Sequence, residues 1–307
     1  MALARPETPA DPGFPPGGDY PRWRAAKLAA YPPDPSALVV PVADPGALTP
    51  GERAALEGNL RRYNLTLYRW AGEPGAGAKA GLMALCGQLG FRRLDRNLCA
   101  DDDGIASLRV VSEGRPTEYI PYSDRPIRWH TDGYYNTPEE QVRGFALHCV
   151  SDAAEGGANR LLDPEVLYIY IRDRDPRFVE ALMAPDAMTI PENVADGEVL
   201  RPARTGPVFS VDPAGGCLHL RYTARTRSIQ WKDDPLTREA LACLEEGLAA
   251  DLPQVIRHRL APGEGVVTNN VLHTREAFRD DPDAGRTRLM LRARFHDRVA
   301  ATEPCGG

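Results

Sequence analysis

The sequence predicts an α+β fold with a mainly β core, and three observations carry that reading. From Ile105 onward, short strand-like runs dominate, many of them separated by Gly, Pro, Asp or Asn, as an antiparallel sandwich or barrel requires. Helix start signals fall in the front part and in two later stretches that interrupt the strands. The chain of 307 residues, 42% hydrophobic and 26% charged, has the composition of a globular protein that buries one large core or two modest ones. A single domain with short extensions is the expectation.

Taken in order, the chain opens on a Pro-rich arm. Nine of the 29 prolines lie in the first 35 residues, and residues without an amide hydrogen at that density prevent a continuous helix or a central strand. Residues 1–36 are therefore read as arm and short helix: loose over 1–20, helical from Arg22 to Tyr31, ended by Pro32-Pro33. A strand near Leu38–Val42 follows, then a helix opened by Thr49-Pro50, with Thr as cap and Pro in the first turn. Next come a strand at Asn64–Trp70 and a helix near Lys79–Leu89. The later strand-like runs are Ser107–Val111, Glu118–Pro121, Val142–Val150, Val208–Val211, Cys217–Tyr222, Ser228–Trp231, Gly265–Thr268 and Thr287–Phe295. Helices are expected over Pro164–Met183, broken near Pro176, and over Pro235–Ala250, opened by Asp233-Asp234. The domain is placed at 37–300, with residues 301–307 as a tail.

Charge and cysteine usage narrow the function classes. With 37 basic against 43 acidic residues, a net charge of -6 and no polybasic run, nucleic acid is not the expected partner. No signal-peptide core or membrane-spanning stretch is visible, so a cytoplasmic protein without a membrane partner is expected. The six cysteines, Cys86, Cys99, Cys149, Cys217, Cys243 and Cys305, form no Cys-x-x-Cys pair and read as buried free thiols.

The chemistry gathers in Trp129-His130-Thr131-Asp132-Gly133-Tyr134-Tyr135. On an extended segment His130 and Asp132 project to one side and can grip one metal ion together. His273, far downstream, could complete a set of two histidines and one carboxylate. That set suits non-haem Fe(II), with the opposite positions open for a co-substrate and O2. Taken singly, Asp132 could cap a local turn and His273 could be a core histidine. His148, His219 and His258, in apolar runs, read as structural. Near the C-terminus, Arg286, Arg288, Arg292 and Arg294 alternate with Leu289, Leu291, Ala293 and Phe295, which reads as a strand with arginines on one face.

In order and approximate spacing these segments resemble the taurine dioxygenase-like family of iron(II)/2-oxoglutarate-dependent oxygenases. The resemblance rests on Trp129 to Gly133, on Leu147 to Val150 leading to Glu155-Gly156-Gly157-Ala158-Asn159, on His273-Thr274-Arg275 with Phe278, and on Arg288 to Arg292, and it spans roughly residues 37–297. It implies a double-stranded β-helix, or jelly roll, with flanking helices and a core at about 105–297. It also implies His130, Asp132 and His273 as metal ligands and Arg288 as the anchor of the distal carboxylate of 2-oxoglutarate. Arginine suits that task because its planar fork gives two parallel hydrogen bonds and keeps its charge when desolvated. Where the family often has a Thr before the Gly-Gly pair, this chain has Glu155, which would repel an anion, so the second contact is expected from Asn159 or from a residue on another strand. The segment from Arg279 to Gly285 reads as an insertion.

The reading is thus an Fe(II)- and 2-oxoglutarate-dependent dioxygenase using O2, hydroxylating a small organic molecule and releasing succinate and CO2. The competing readings are a Zn-dependent hydrolase or isomerase on the same barrel, and a non-catalytic barrel protein. Arg292, Tyr134, Tyr135, Arg128 and Tyr122 are the candidate substrate contacts. A free Arg292 would favour an anionic substrate; pairing with a carboxylate such as Glu155 would not. Hydroxylation, desaturation and oligomeric state are not separated by sequence.

Overall fold

The computed structural model describes residues 14, 18–32, 34–72, 75, 77–96, 101–113, 119–195, 197–212, 216–224 and 229–302. The first helix, α1 (Tyr20–Ala29), starts two residues before the expected position, because Asp19 caps Arg22 N and Pro21 sits in the first turn. Strand β1 (Val39–Val42) is followed by α2 (Pro50–Tyr63), where Thr49 and Glu52 form a reciprocal capping box. Strand β2 (Leu65–Trp70), helix α3 (Ala78–Gln88) and the short β3 (Ala106–Leu108) come next. The run expected over Glu118–Pro121 is instead a 3-10 turn at Ile120–Tyr122, with Glu118 outside the described residues. Strands β4 (Ile127–His130), β5 (Gly144–Ser151), β6 (Glu155–Gly156) and β7 (Asn159–Leu162) lead into α4 (Pro164–Arg174) and α5 (Pro176–Met183). Pro176 breaks these two helices and Asp175 recaps the second.

Five short strands follow, β8 (Met188–Ile190), β9 (Asn193–Ala195), β10 (Glu198–Arg201), β11 (Arg204–Gly206) and β12 (Phe209–Val211). Then come β13 (Leu218–Leu220), β14 (Gln230–Trp231), α6 (Pro235–Ala249) and β15 (Ile256–His258). The chain closes with β16 (Glu264–Thr268), β17 (Leu272–Arg275), β18 (Phe278–Arg279) and β19 (Leu289–Phe295).

Two sheets position the site. The larger has the order β1-β2-β16-β5-β19-β3, and the smaller β15-β7-β17-β4. Period-two alternation sorts the large sheet's side chains. Tyr68, Trp70, Ala146, Val267, Leu291, Ala293 and Phe295 pack against Leu56, Leu60, Leu82 and Leu85 of α2 and α3. Leu65, Leu67, Phe145, Leu147, Cys149, Val266 and Met290 face the other way, onto Leu161 and Ile256 of the small sheet. The small sheet's outer residues Trp129, Leu162 and Leu272 join Leu167, Val179 and Leu244 of α4, α5 and α6. The layers therefore run helix, sheet, interior, sheet, helix, and the functional side chains project into that interior.

The arm is less loose than its prolines suggest. Phe14 is 4% exposed, meets Trp23 and Tyr168 edge to face, and its carbonyl accepts from Tyr168 and Arg172. Residues 1–13 lie outside the described residues. Cys86, Cys149 and Cys243 are free thiols, and Cys217 Sγ donates to Thr302 O; Cys99 and Cys305 also lie outside the described residues.

Candidate active site

The distant histidine is brought in by strand pairing. His273 on β17 sits opposite His130 on β4, with Leu161 of β7 on its other side, and the two rings are 4.1 Å apart between centroids. After β4 the chain turns. Thr131 N donates to Tyr222 O, and Asn270 accepts from Asp132 N while donating to Asp132 O and Val142 O. Gly133 makes the turn possible: its φ is +66° and a Cβ there would stand 2.4 Å from Val142. Asp132 is thereby held over the two histidines.

Ligand atoms of His130, Asp132 and His273 lie within 4.8 Å of one another. His130 Nδ1 is 2.9 Å from Arg128 O and His273 Nδ1 is 3.0 Å from Val271 O. A carbonyl can only accept, so each Nδ1 carries the proton and each Nε2 presents a lone pair. Burial keeps both rings neutral: it pulls the His130 pKa down to about 3, aided by His273, and lowers that of His273. Asp132 stays ionised despite burial, because Arg292 and Arg294 hold its carboxyl far below the usual range. One oxygen, Oδ1, accepts from Arg292 Nη1 at 3.2 Å, whereas Oδ2 is buried without a partner. Two imidazole lone pairs and an orphaned carboxylate oxygen fit a divalent transition metal.

A second buried cation stands just before β19. Arg288 is 5% exposed, its Nη1 is buried without a partner, and burial lowers its pKa to about 10. Asp280, in the inserted segment, fixes its backbone N at 2.9 Å, and its guanidinium lies 5.0 Å from the Phe278 ring. Gly156, Gly157, Asn159, Met290 and Arg288 line one small cavity. Asn159 shares the cavity but gives its amide to Thr274 O. Glu155 does not oppose an anion there, because it turns outward, 68% exposed, to pair with Arg279. Arg286 is spent at the surface on Asp152.

A family model described as taurine catabolism dioxygenase TauD, TfdA family matches residues 29–294. The chain belongs to this family. A uridine-5'-phosphate dioxygenase of Amycolatopsis sp is 34% identical over 164 residues, which is 52% of this chain and 57% of that protein. Another from Streptomyces sp is 28% identical over 205 residues, 64% of this chain and 71% of that protein. The chain thus spans little more than half the length of the first of these relatives. Among solved structures, PvcB of Pseudomonas aeruginosa superposes with a TM-score of 0.57 at 19% identity, covering 83% of this chain and 82% of that one. PvcB is described as an Fe, alpha-ketoglutarate dependent oxygenase. The enzyme class and cofactors read from the sequence are those of the TauD, TfdA family.

Within this TauD-type site the remaining candidates separate. Arg292 is not free, since it holds Asp132, and Glu155 is not its partner. Tyr135 accepts from Arg294 Nη1 at 3.0 Å, and Tyr134 packs on it edge to face at 5.1 Å. Tyr122 is buried in the interior cluster with Cys149 and Met290, so it shapes the interior by packing. Arg128 is exposed and contributes its carbonyl to His130. Trp129 faces away, donating to Leu248 O under α6. Sequence reading missed Asn270, Asp95 and the role of Arg294, which pairs with Asp95 while standing 3.8 Å from Asp132. The only signal for Asn270 was its place three residues before His273.

Among the described residues no helix is long and apolar enough to cross a membrane.

Proposed function

We propose that this chain is an iron(II)- and 2-oxoglutarate-dependent dioxygenase that hydroxylates a small anionic molecule of the nucleoside 5'-phosphate class. The observation that carries the reading is the pair of orphaned buried atoms, Asp132 Oδ2 beside two imidazole Nε2 atoms and Arg288 Nη1 further along the same interior. Arg288 lies four residues from Arg292 on one strand face, about 13 Å along a straight strand. A keto acid chelating a metal at His130, Asp132 and His273 would extend its distal carboxylate toward Arg288, with Asn159 as a neighbour on the cavity wall. Bound iron(II), 2-oxoglutarate and O2 supply the oxidising power, and 2-oxoglutarate leaves as succinate and CO2. The protein's own share is to keep both histidines neutral, orient Asp132 through Arg292 and Asn270, and hold the site dry between two sheets. A Zn hydrolase has no use for Arg288, and a non-catalytic barrel has no reason to keep either orphan.

Charge supports an anionic substrate. Around the triad, Asp132 and Asp95 face Arg292, Arg294 and Arg288, one guanidinium in excess, and iron(II) with dianionic 2-oxoglutarate leaves that excess unchanged. The named substrate of the two relatives, uridine 5'-phosphate, is of that kind. The two facing sheets are read as the jelly roll, within one catalytic domain over 37–300 on which α1 docks. The free thiols of Cys86, Cys149 and Cys243 suit a reducing cytoplasm.

The test is spectroscopic and then catalytic. Anaerobic Fe(II) with 2-oxoglutarate gives a weak visible charge-transfer band that Asp132→Ala abolishes. Succinate formation in air then rises with uridine 5'-phosphate. An Asp132→Ala protein that binds Fe(II) as tightly as wild type overturns the triad.

A further inference from the structure

With Arg292 held on Asp132, the substrate's anionic group needs another cation, and the structure offers one across Tyr135. Two guanidiniums flank that ring: Arg294 with its Cζ 5.9 Å from the centroid and Arg201 at 5.7 Å. Tyr135 therefore spans from the metal-ligand pair to the hairpin of β9 and β10, whose last residue is Arg201. That hairpin stands clear of the core, since Val194 and Val199 are 48% and 56% exposed. Arg201 donates only to carbonyls, those of Pro191 and Pro202, and no described carboxylate lies within ion-pair distance of it. Arg204 begins the next strand; its Nε is buried without a hydrogen-bond partner and it too has no described carboxylate at ion-pair distance. Burial lowers the Arg201 pKa and Arg204 lowers it further, with only the Tyr134 and Tyr135 phenols opposing. Two unneutralised guanidiniums three residues apart repel each other unless an anion sits between them.

We propose that Arg201, assisted by Arg204, binds the substrate's phosphate at the mouth of the metal site, with Tyr135 as the wall between phosphate and metal. The inference rests on the phosphate-ester reading above. Arginine pairs are suited to this ligand, because each offers a planar fork to a phosphate oxygen pair and a charged hydrogen bond strengthens where water is partly excluded. Arg201 is thus a specificity residue and takes no part in the oxidation.

The experiment measures binding of uridine 5'-phosphate, uridine and inorganic phosphate to the full chain by titration calorimetry, alongside 2-oxoglutarate affinity in the presence of Fe(II) without air. Wild type is expected to prefer uridine 5'-phosphate to uridine by about a hundredfold, in line with one or two charged hydrogen bonds. Arg201→Gln should remove most of that preference and Arg201→Lys should restore part of it, while 2-oxoglutarate affinity stays put and shows that both variants are folded. If Arg201→Gln keeps the preference and Arg292→Gln loses it, the phosphate sits on Arg292 and the assignment is overturned. If wild type itself does not distinguish the nucleotide from the nucleoside, the phosphate-ester reading fails and Arg201 with it.

Discussion

Replacing Arg288 by methionine separates what this guanidinium does to the fold from what it does for the co-substrate. Its charge is buried, 5% exposed, with Nη1 unpartnered, and burial pulls its pKa down to about 10, which still leaves it charged near neutral pH. Exchanging a buried ion for an apolar side chain of similar volume is often neutral or stabilising by roughly 1–4 kcal/mol. The empty Arg288→Met protein should therefore melt at or above the wild-type temperature. Removing one partner of a buried pair costs about 3–5 kcal/mol, and about 1.4 kcal/mol is a factor of ten. Loss of 2-oxoglutarate affinity should thus lie between about a hundredfold and a few thousandfold. Thermal melts with and without 2-oxoglutarate read both effects. At a hundred times Kd the co-substrate stabilises wild type by about 2.7 kcal/mol, and at the same concentration the variant gains almost nothing. Arg286→Ala, which loses a half-exposed pair with Asp152 and a hydrogen bond to Ala153 O, should keep nearly the wild-type 2-oxoglutarate affinity. A variant that melts lower when empty yet keeps its 2-oxoglutarate affinity would refute the reasoning, and a larger loss in Arg286→Ala would move the anchor.

Two further outcomes concern how the N-terminal segment is tied to the domain. Lys27 is 7% exposed and bonds Asp163 at 2.5 Å, Glu165 at 2.6 Å and the Arg62 carbonyl at 2.7 Å; burial opposes its charge and the two carboxylates more than restore it. Lys27→Met strands two buried carboxylates and should cost about 3–5 kcal/mol in a denaturant melt; a change below about 1 kcal/mol would show that water or Asn64 and Arg298 suffice. Deleting residues 1–18 would be silent if the arm were loose throughout, but it removes Phe14 from the cluster with Trp23 and Tyr168. The truncation, and Phe14→Ala at about 3 kcal/mol, should lower Tm by several degrees, and an unchanged Tm would return the whole arm to solvent.

What the sequence made legible follows from which features are local. His130 and Asp132 share a side because of spacing alone, and Arg288, Arg292 and Arg294 share a face because strand periodicity is two, while the resemblance to the family implied which of them would hold metal and co-substrate. Helix starts at Thr49, Asp175 and Asp234 were equally local, each a capping side chain followed by proline. Whether Arg292 faced substrate or a carboxylate stayed open in the sequence, because periodicity says which way a side chain points and nothing about what the opposite wall presents; the Gly133 turn and Asn270 put Asp132 in front of it. Glu155 was read as an intruder because its outward partner, Arg279, lies in another strand that pairs with it only in three dimensions. Arg201 carried no local mark at all, since its meaning depends on a hairpin laid over Tyr135. Composition misled at Phe14, where prolines constrain the backbone but one aromatic ring decides docking.

Strand β19 is where fold and chemistry become one constraint. Its odd positions, Leu291, Ala293 and Phe295, fill the core beneath α2 and α3, while Arg292 and Arg294 at even positions reach Asp132, and Arg288, just before the strand, reaches the cavity proposed for the co-substrate. A slip of one residue against β5 would exchange the two faces, driving guanidiniums under Leu56 and Leu85 and turning Phe295 into the polar interior. Burying even one unpaired guanidinium costs several kcal/mol, so the arginines of the proposed site also exclude the wrong register. The pairing with β5 shifts register between Leu289 and Met290, where β5 carries one extra residue, Val150, so the regular ladder that orients Arg292 and Arg294 ends short of Arg288.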